Sequence, residues 1–359
     1  MAALRDAVLR DDAIAKEAIA RGLNPSPVFT ALQLLGAILL LVVASDAFTN
    51  AVEWIGSLYG LARSAVGAIV AALGSSLPET MVAVVALLIL RDSTSQAVGI
   101  GAVLGAPFML STVVFALIGV FAFFRGTKSK ETGGTLAVHP RPAIVGLALF
   151  TLTFAFVVGA SFAPTPAVRI TASVGVIIAY LAYLVYHLRR GDAASEESPP
   201  PLRFHPGAVR PKAWIVFLQL ALSLGVTIFA SRWFVSSVAD VSTQLGLAPL
   251  VVSLFLSPVA TELPEAMNVV IWMRQGKDEL AVGNVIGAMM FQTSIASAIA
   301  MLASPWHLDH QAYAACAATA LAVALVFVVS SLRGRLSTVT LTACGLFYLG
   351  YVAYATIAH

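Results

Sequence analysis

Apolar residues run along this chain in long blocks separated by short polar turns. Ten blocks approach the roughly 20 residues that a helix needs to cross lipid: near 28–54, 61–90, 96–123, 142–160, 168–188, 212–238, 247–274, 279–303, 311–332 and 336–357. One interruption stands apart. Residues 189–211, RRGDAASEESPPPLRFHPGAVRP, are charged, proline-rich and too polar for lipid. They read as a linker between two sets of five spans, 28–188 and 212–359. Residues 1–27 read as a polar tail or a short interfacial helix. The pattern predicts an all-α membrane protein.

Composition agrees with the pattern. Hydrophobic residues make up 59% of the 359 and charged residues 11%, against about 25% charged in a soluble domain. Too few charges remain to cover a water-facing surface. The net charge of +3 says little about partners, because in a membrane protein the placement of basic residues carries the information. No basic arm reads as a nucleic-acid contact. Cys316 and Cys344 fall in late apolar blocks and read as buried thiols.

Placement of Lys and Arg sets the expected orientation. With the N-terminus outside, the inner loops hold Arg63, Arg125, Lys128, Lys130, Arg141, Arg189, Arg190, Arg203, Arg210, Lys212, Arg274, Lys277, Arg333 and Arg335. The outer loops hold Arg91, Arg169 and Arg232, apart from the tail. An excess of cytoplasmic basic residues is the rule for membrane proteins. It places both termini outside and the 189–211 linker in the cytoplasm.

The two halves resemble each other. The triplet LQL at Leu32 matches LQL at Leu218, and LPE at Leu77 matches LPE at Leu263, both at an offset of 186. After a slip of two, AVG at Ala97 pairs with AVG at Ala281. An odd number of spans per half makes the copies opposite in orientation. Inverted repeats of this kind are characteristic of secondary transporters with a midplane site.

The repeated LPE carries the chemistry. Pro78 and Pro264 each lack a backbone donor and clash with the carbonyl four residues back. Helix breaks are expected near Gly74–Ser76 and Ala260–Glu262. Backbone oxygens released there need a partner inside the protein. Ser75, Ser76 and Thr261 add hydroxyls, and Glu79 and Glu265 add carboxylates. That set of hard oxygen donors suits calcium, which takes roughly six to eight oxygens. Neither Cys nor His lies nearby to favour zinc or copper. A charged residue at the bilayer centre costs about 2.5–3.5 kcal/mol even on the lenient scale. A divalent cation between two glutamates offsets that cost, with protons or monovalent cations replacing it on release.

These residues resemble the two repeat motifs of the cation/calcium antiporter superfamily, which includes sodium/calcium and calcium/proton exchangers. The boxes are Gly74-Ser75-Ser76-Leu77-Pro78-Glu79 and Ala260-Thr261-Glu262-Leu263-Pro264-Glu265, followed by GAVLGAPFML from Gly101 and GNVIGAMMFQ from Gly283. The resemblance implies a ten-helix fold with four broken helices around one ion site, and sliding of two helices against the rest. It implies Glu79 and Glu265 as the main metal ligands, assisted by Ser75 and Thr261, with Ser76 at a sodium-ligand position. Several positions depart from the motif. Glu262 replaces a serine, Ala106 and Ala288 replace two more, and Leu110 and Gln292 replace polar residues further on. Ala102 replaces one asparagine while Asn284 keeps the other. These departures weaken the case for sodium coupling.

The expected function is therefore secondary antiport of Ca2+, or a similar divalent cation, against H+ or Na+, with no cofactor. Alternatives are a monovalent Na+/H+ exchanger on the same fold, an intramembrane enzyme using Glu79 and Glu265 as an acid/base pair, and a passive channel. No HExxH helix supports an enzyme, and paired buried charges would hold a divalent ion too tightly for channel flow. Glu262, three residues before Glu265, is either a proton site or the partner of Arg232. Arg232 also aligns with Asp46, so those two are a possible pair across the repeats. The HLDH stretch from His307 to His310 reads as a solvated turn.

Overall fold

The computed structural model describes residues 26–59, 80–125, 135–190, 199–208 and 210–357. Apart from one isolated bridge, Thr135 to Ser337, the described residues carry only helices, turns and coil. In chain order the helices are α1 (Pro27–Leu58), α2 (Thr80–Leu90), α3 (Ser93–Phe124), α4 (Pro140–Phe162), α5 (Pro166–Arg190) and α6 (Ala213–Leu245). They continue as α7 (Pro249–Thr261), α8 (Leu263–Gln275), α9 (Asp278–Ala303), α10 (His310–Arg333) and α11 (Thr338–Ile357). Eight of them are long and apolar enough to cross a membrane, or nine spans if the bent pair α7–α8 counts as one. The expected second span, 61–90, lies largely outside the described residues, which include only α2. The expected first break lies outside them too.

Helix ends follow local chemistry. Ser26 caps α1, accepting from Phe29 N at 3.3 Å, and Pro27 takes the first helical position, where no donor is needed. Asp92 caps α3 through Ser95 N at 2.9 Å and Ser95 Oγ at 2.5 Å. Burial pushes the Asp92 carboxyl up, but these hydrogen bonds outweigh it and hold the group below its ordinary value. Asp309 caps α10 through Ala312 N at 2.8 Å, so the HLDH stretch is a helix start. At 32 and 33 residues, α1 and α6 are about 50 Å long and exceed the roughly 30 Å of hydrocarbon, which implies tilt.

In lipid, helices associate by close packing and hydrogen bonds rather than by escaping water. A Cβ on Gly101 would stand 2.5 Å from Leu250 O, and one on Gly105 2.7 Å from Leu254 O. Glycine at these two positions lets the backbone of α3 approach α7. The main core joins Phe108 and Phe115 of α3, Phe150 of α4, Leu254 of α7 and Met289 of α9. α9 is the most buried of the long helices and α1 among the least.

α1 and α6 form a peripheral antiparallel pair. Gln244 Nε2 donates to Thr30 Oγ1 at 2.7 Å at one end, and Gln219 Nε2 donates to Ala47 O at 2.8 Å at the other. Residues 200–204 cross this second end. Asn50 Nδ2 and Trp54 Nε1 donate to Pro200 O at 3.1 and 2.9 Å, and Phe204 N donates to Gln219 Oε1 at 2.9 Å. Leu202 is fully buried against Ala51, Trp54 and Val216. This part of the 189–211 segment is therefore a packed strap rather than a loose connection. Arg203 pairs with Asp46 at 2.7 Å, so Asp46 does not take Arg232 as its partner.

Contacts between turns fall at two ends of the bundle. At one end Arg125 pairs with Asp278 at 2.5 Å, Ala137 N donates to Asp278 Oδ2 at 3.1 Å, and Leu136 N donates to Leu336 O at 3.0 Å. At the other, Arg169 donates to the carbonyls of Met301 and Ser304, and Ser161 Oγ lies 2.9 Å from Tyr313 Oη. Alternate turns thus meet at opposite ends, as the hydropathy pattern requires.

α3 and α9 each contain one π-wound stretch, Leu110–Val114 and Gln292–Ala296. Their starts are 182 positions apart, the offset of Gly101 from Gly283. The AVG triplets at Ala97 and Ala281 are 184 positions apart. The resemblance implied four broken helices. Here α3 and α9 run continuously through their π turns, and among the described residues the bent break of a span is at α7–α8.

Candidate functional site

The α7–α8 break is bent by 52° and is built by its own residues. Pro264, in the first turn of α8, has no N–H to offer and would clash with a carbonyl four residues back in a continuous helix. Glu262 sits at the junction with φ −93° and ψ −3°. Its N–H donates to Pro258 O at 2.8 Å, closing α7, and its carbonyl accepts from Ala266 N at 2.9 Å, opening α8. The break falls within the stretch the proline predicted.

Glu262 is thereby the N-cap residue of α8, and Glu265 occupies its first turn. Both acids stand at the positive end of the helix dipole, where negative charge is favoured. Both are buried, at 0% and 7% exposure. Glu262 accepts a hydrogen bond from Gln292 Nε2 at 2.6 Å across the gap to α9. Gln292, the first residue of the π turn, is itself 2% exposed.

Three hydroxyls recur along α7. Ser253 Oγ donates to Val98 O of α3 at 2.6 Å and lies 2.9 Å from Ser257 Oγ. Thr261 Oγ1 donates to Ser257 O at 3.0 Å, leaving its lone pairs available to a cation. On α9, Asn284 Nδ2, Thr293 Oγ1 and Ser294 Oγ are buried with no partner among the described residues. The corresponding hydroxyls of α3 are satisfied locally: Ser111 and Thr112 donate to Phe108 O at 3.3 and 2.5 Å.

Of the candidate residues, Glu265, Glu262 and Thr261 gather at this break, with Asn284 on the neighbouring α9. Ser75, Ser76, Pro78 and Glu79 lie outside the described residues. No group of three or more His, Cys, Asp or Glu side chains able to hold a metal occurs among the described residues. Arg232 is not the hydrogen-bond partner found for Glu262; Gln292 is. Cys316 and Cys344 are buried free thiols. The residue that sequence reasoning did not bring to the break is Gln292. It stood out there only as a lost polar ligand. Its signal was the presence of both an acid at 262 and an amide at 292, each a departure from the motif.

The arrangement can hold a hard cation against carboxylate and hydroxyl oxygens at a helix break deep in the bundle. The profile of the family described as "Sodium/calcium exchanger protein" matches residues 29–189 and 215–358. The chain is 24% identical to the inner membrane protein YrbG of Escherichia coli (strain K12), covering 83% of this chain and 87% of that protein. It is 22% identical to the putative antiporter CaxA of Alkalimonas amylolytica, covering 88% and 94%. Its fold is similar to the crystal structure of the H+/Ca2+ exchanger CAX, with a TM-score of 0.67 at 16% identity over 96% of this chain and 89% of that one.

Proposed function

Because the chain belongs to the sodium/calcium exchanger protein family, we propose that it is a secondary antiporter exchanging Ca2+, or a similar divalent cation, for protons. The observation that carries this reading is Glu265, a buried acid at a helix break inside the bundle. A carboxylate there needs a counter-charge. Glu79, its counterpart at an offset of 186, supplies the second carboxylate. Ser75 and Thr261 add hydroxyl oxygens, and Ser76 and Asn284 complete the set of cation-binding residues. When the cation leaves, protons neutralise the pair, so the empty carrier can return without an uncompensated charge. Protons are favoured over sodium as the counter-ion because alanines, Leu110 and Gln292 stand at the polar positions of the sodium-binding motif.

Ten spans in two inverted repeats, 28–188 and 212–359, complete the reading. Two observations support it. α1 and α6, whose LQL triplets match, run antiparallel. The π turns of α3 and α9 start 182 positions apart, the spacing of Gly101 and Gly283. The 189–211 segment then lies in the cytoplasm and both termini lie outside.

Calcium uptake into proteoliposomes, with proton and sodium gradients imposed separately, tests the function. A proton gradient alone drives uptake if the reading is right. Uptake driven only by sodium would overturn the coupling ion, and flux that merely follows the calcium gradient would indicate a channel.

A further inference from the structure

We propose that Gln292 is a positioning residue: it holds Glu262 as scaffold, so that the second half presents one carboxylate, Glu265, to the transported cation. This rests on the reading of Glu265 as a ligand. Glu262 and Glu265 occupy the N-cap and first turn of one helix, three residues apart, and positions so spaced are neighbours on a helix end. Were both turned to the site, a divalent ion would face two carboxylates from this helix end alone. Calcium affinity in proteins is set largely by the number of charged ligands. A carrier with one acid too many would load its cation and fail to release it.

Three observations assign the restraint to Gln292. Its amide donates to Glu262 Oε1 at 2.6 Å, with both side chains shut off from solvent. Hydrogen bonds to a carboxylate are the strong ones. Gln292 also opens the π turn of α9, where Ser297 Oγ donates to Gln292 O at 3.3 Å. Such turns occur inside a continuing α-helix and are frequent at functional sites. Finally, acid and amide occur together. In the first half the positions matching Glu262 and Gln292 are Ser76 and Leu110. Where no extra acid stands in the box, no amide stands on the π turn.

The test is calcium binding to the full chain purified in detergent, read alongside transport. Gln292→Met keeps the length and packing of the side chain but removes the donor. Calcium binding should tighten about tenfold as a further carboxylate joins the site, while maximal transport falls. Adding Glu262→Gln should return the affinity to that of the unsubstituted protein. Should the methionine variant fail to fold, Gln292→Asn withdraws the amide and is read the same way. Unchanged or weaker binding, or tightening that Glu262→Gln does not reverse, overturns the proposal; a merely structural glutamine would lower transport without tightening binding. Absence of calcium binding by the unsubstituted protein would instead sink the antiport reading itself.

Discussion

Asp278 illustrates how much one side chain can hold at the end of this bundle. It is 1% exposed and takes both arms of the Arg125 fork, at 2.5 and 2.7 Å, together with Ala137 N. The Asp278 hydrogen bonds hold the Arg125 guanidinium above its ordinary value. Arg125 also donates to Met273 O at 2.8 Å, which ties the end of α3 to the last turn of α8. Removing one partner of a buried pair costs about 3–5 kcal/mol, and the partial exposure of Arg125 places this case at the low end. Asp278→Ala should therefore lower the thermal unfolding midpoint in detergent clearly, whereas Glu279→Ala, whose contact with His139 N is a long 3.4 Å, should not. Asp92 acts on a smaller scale. Its carboxyl is held below its ordinary value in the folded chain, so its contribution is present above the unfolded value of about 3.9 and fades as pH falls through the folded one. Asp92→Ala should remove about 1 kcal/mol of stability at neutral pH, and the difference from the unsubstituted protein should shrink in acid. A difference that grows in acid would contradict the cap.

Among the elements, the strap over α1 and α6 separates two kinds of polar contact. The Arg203–Asp46 pair is half exposed, at 47% and 54%, and such pairs contribute about 0–1 kcal/mol. Asn50 is 3% exposed and bonds Pro200 O, Arg203 N and Gln219 Nε2, each at 3.1 Å. Leaving those buried groups without a partner costs about 1–3 kcal/mol. Asn50→Leu should thus destabilise the chain more than Asp46→Asn in thermal unfolding; the reverse order would show that the ion pair holds the strap. The strap was not legible in the sequence. Its residues are polar and proline-rich, and hydropathy alone cannot tell a loose connection from one whose carbonyls are claimed by Asn50 and Trp54 some 146–150 positions away. The break after Thr261 was legible, because Pro264 forbids a continuous helix by local chemistry. The Gln292–Glu262 bond spans 30 positions and depends on a π turn, and no local preference announces either.

At the scale of the whole molecule, membrane class, alternating topology and family were all readable from the sequence. The long apolar blocks express the physical constraint of the bilayer, and Pro264 of the second LPE marks the one break seen among the described residues. Long-range order was less readable. The AVG triplets stand 184 positions apart and the glycine segments 182, and the π turns of α3 and α9 share the latter spacing; short apolar words recur by composition, so a triplet alone is a weak marker of register. What the antiporter reading requires is that Glu79 and Glu265 act together on one ion. The direct measurement is counterflow of radiolabelled calcium into proteoliposomes loaded with unlabelled calcium, with no proton or sodium gradient. The unsubstituted chain should exchange label, and Glu265→Gln and Glu79→Gln should each abolish exchange while the protein still folds and inserts. Label exchange that persists in either variant would contradict a shared carboxylate site.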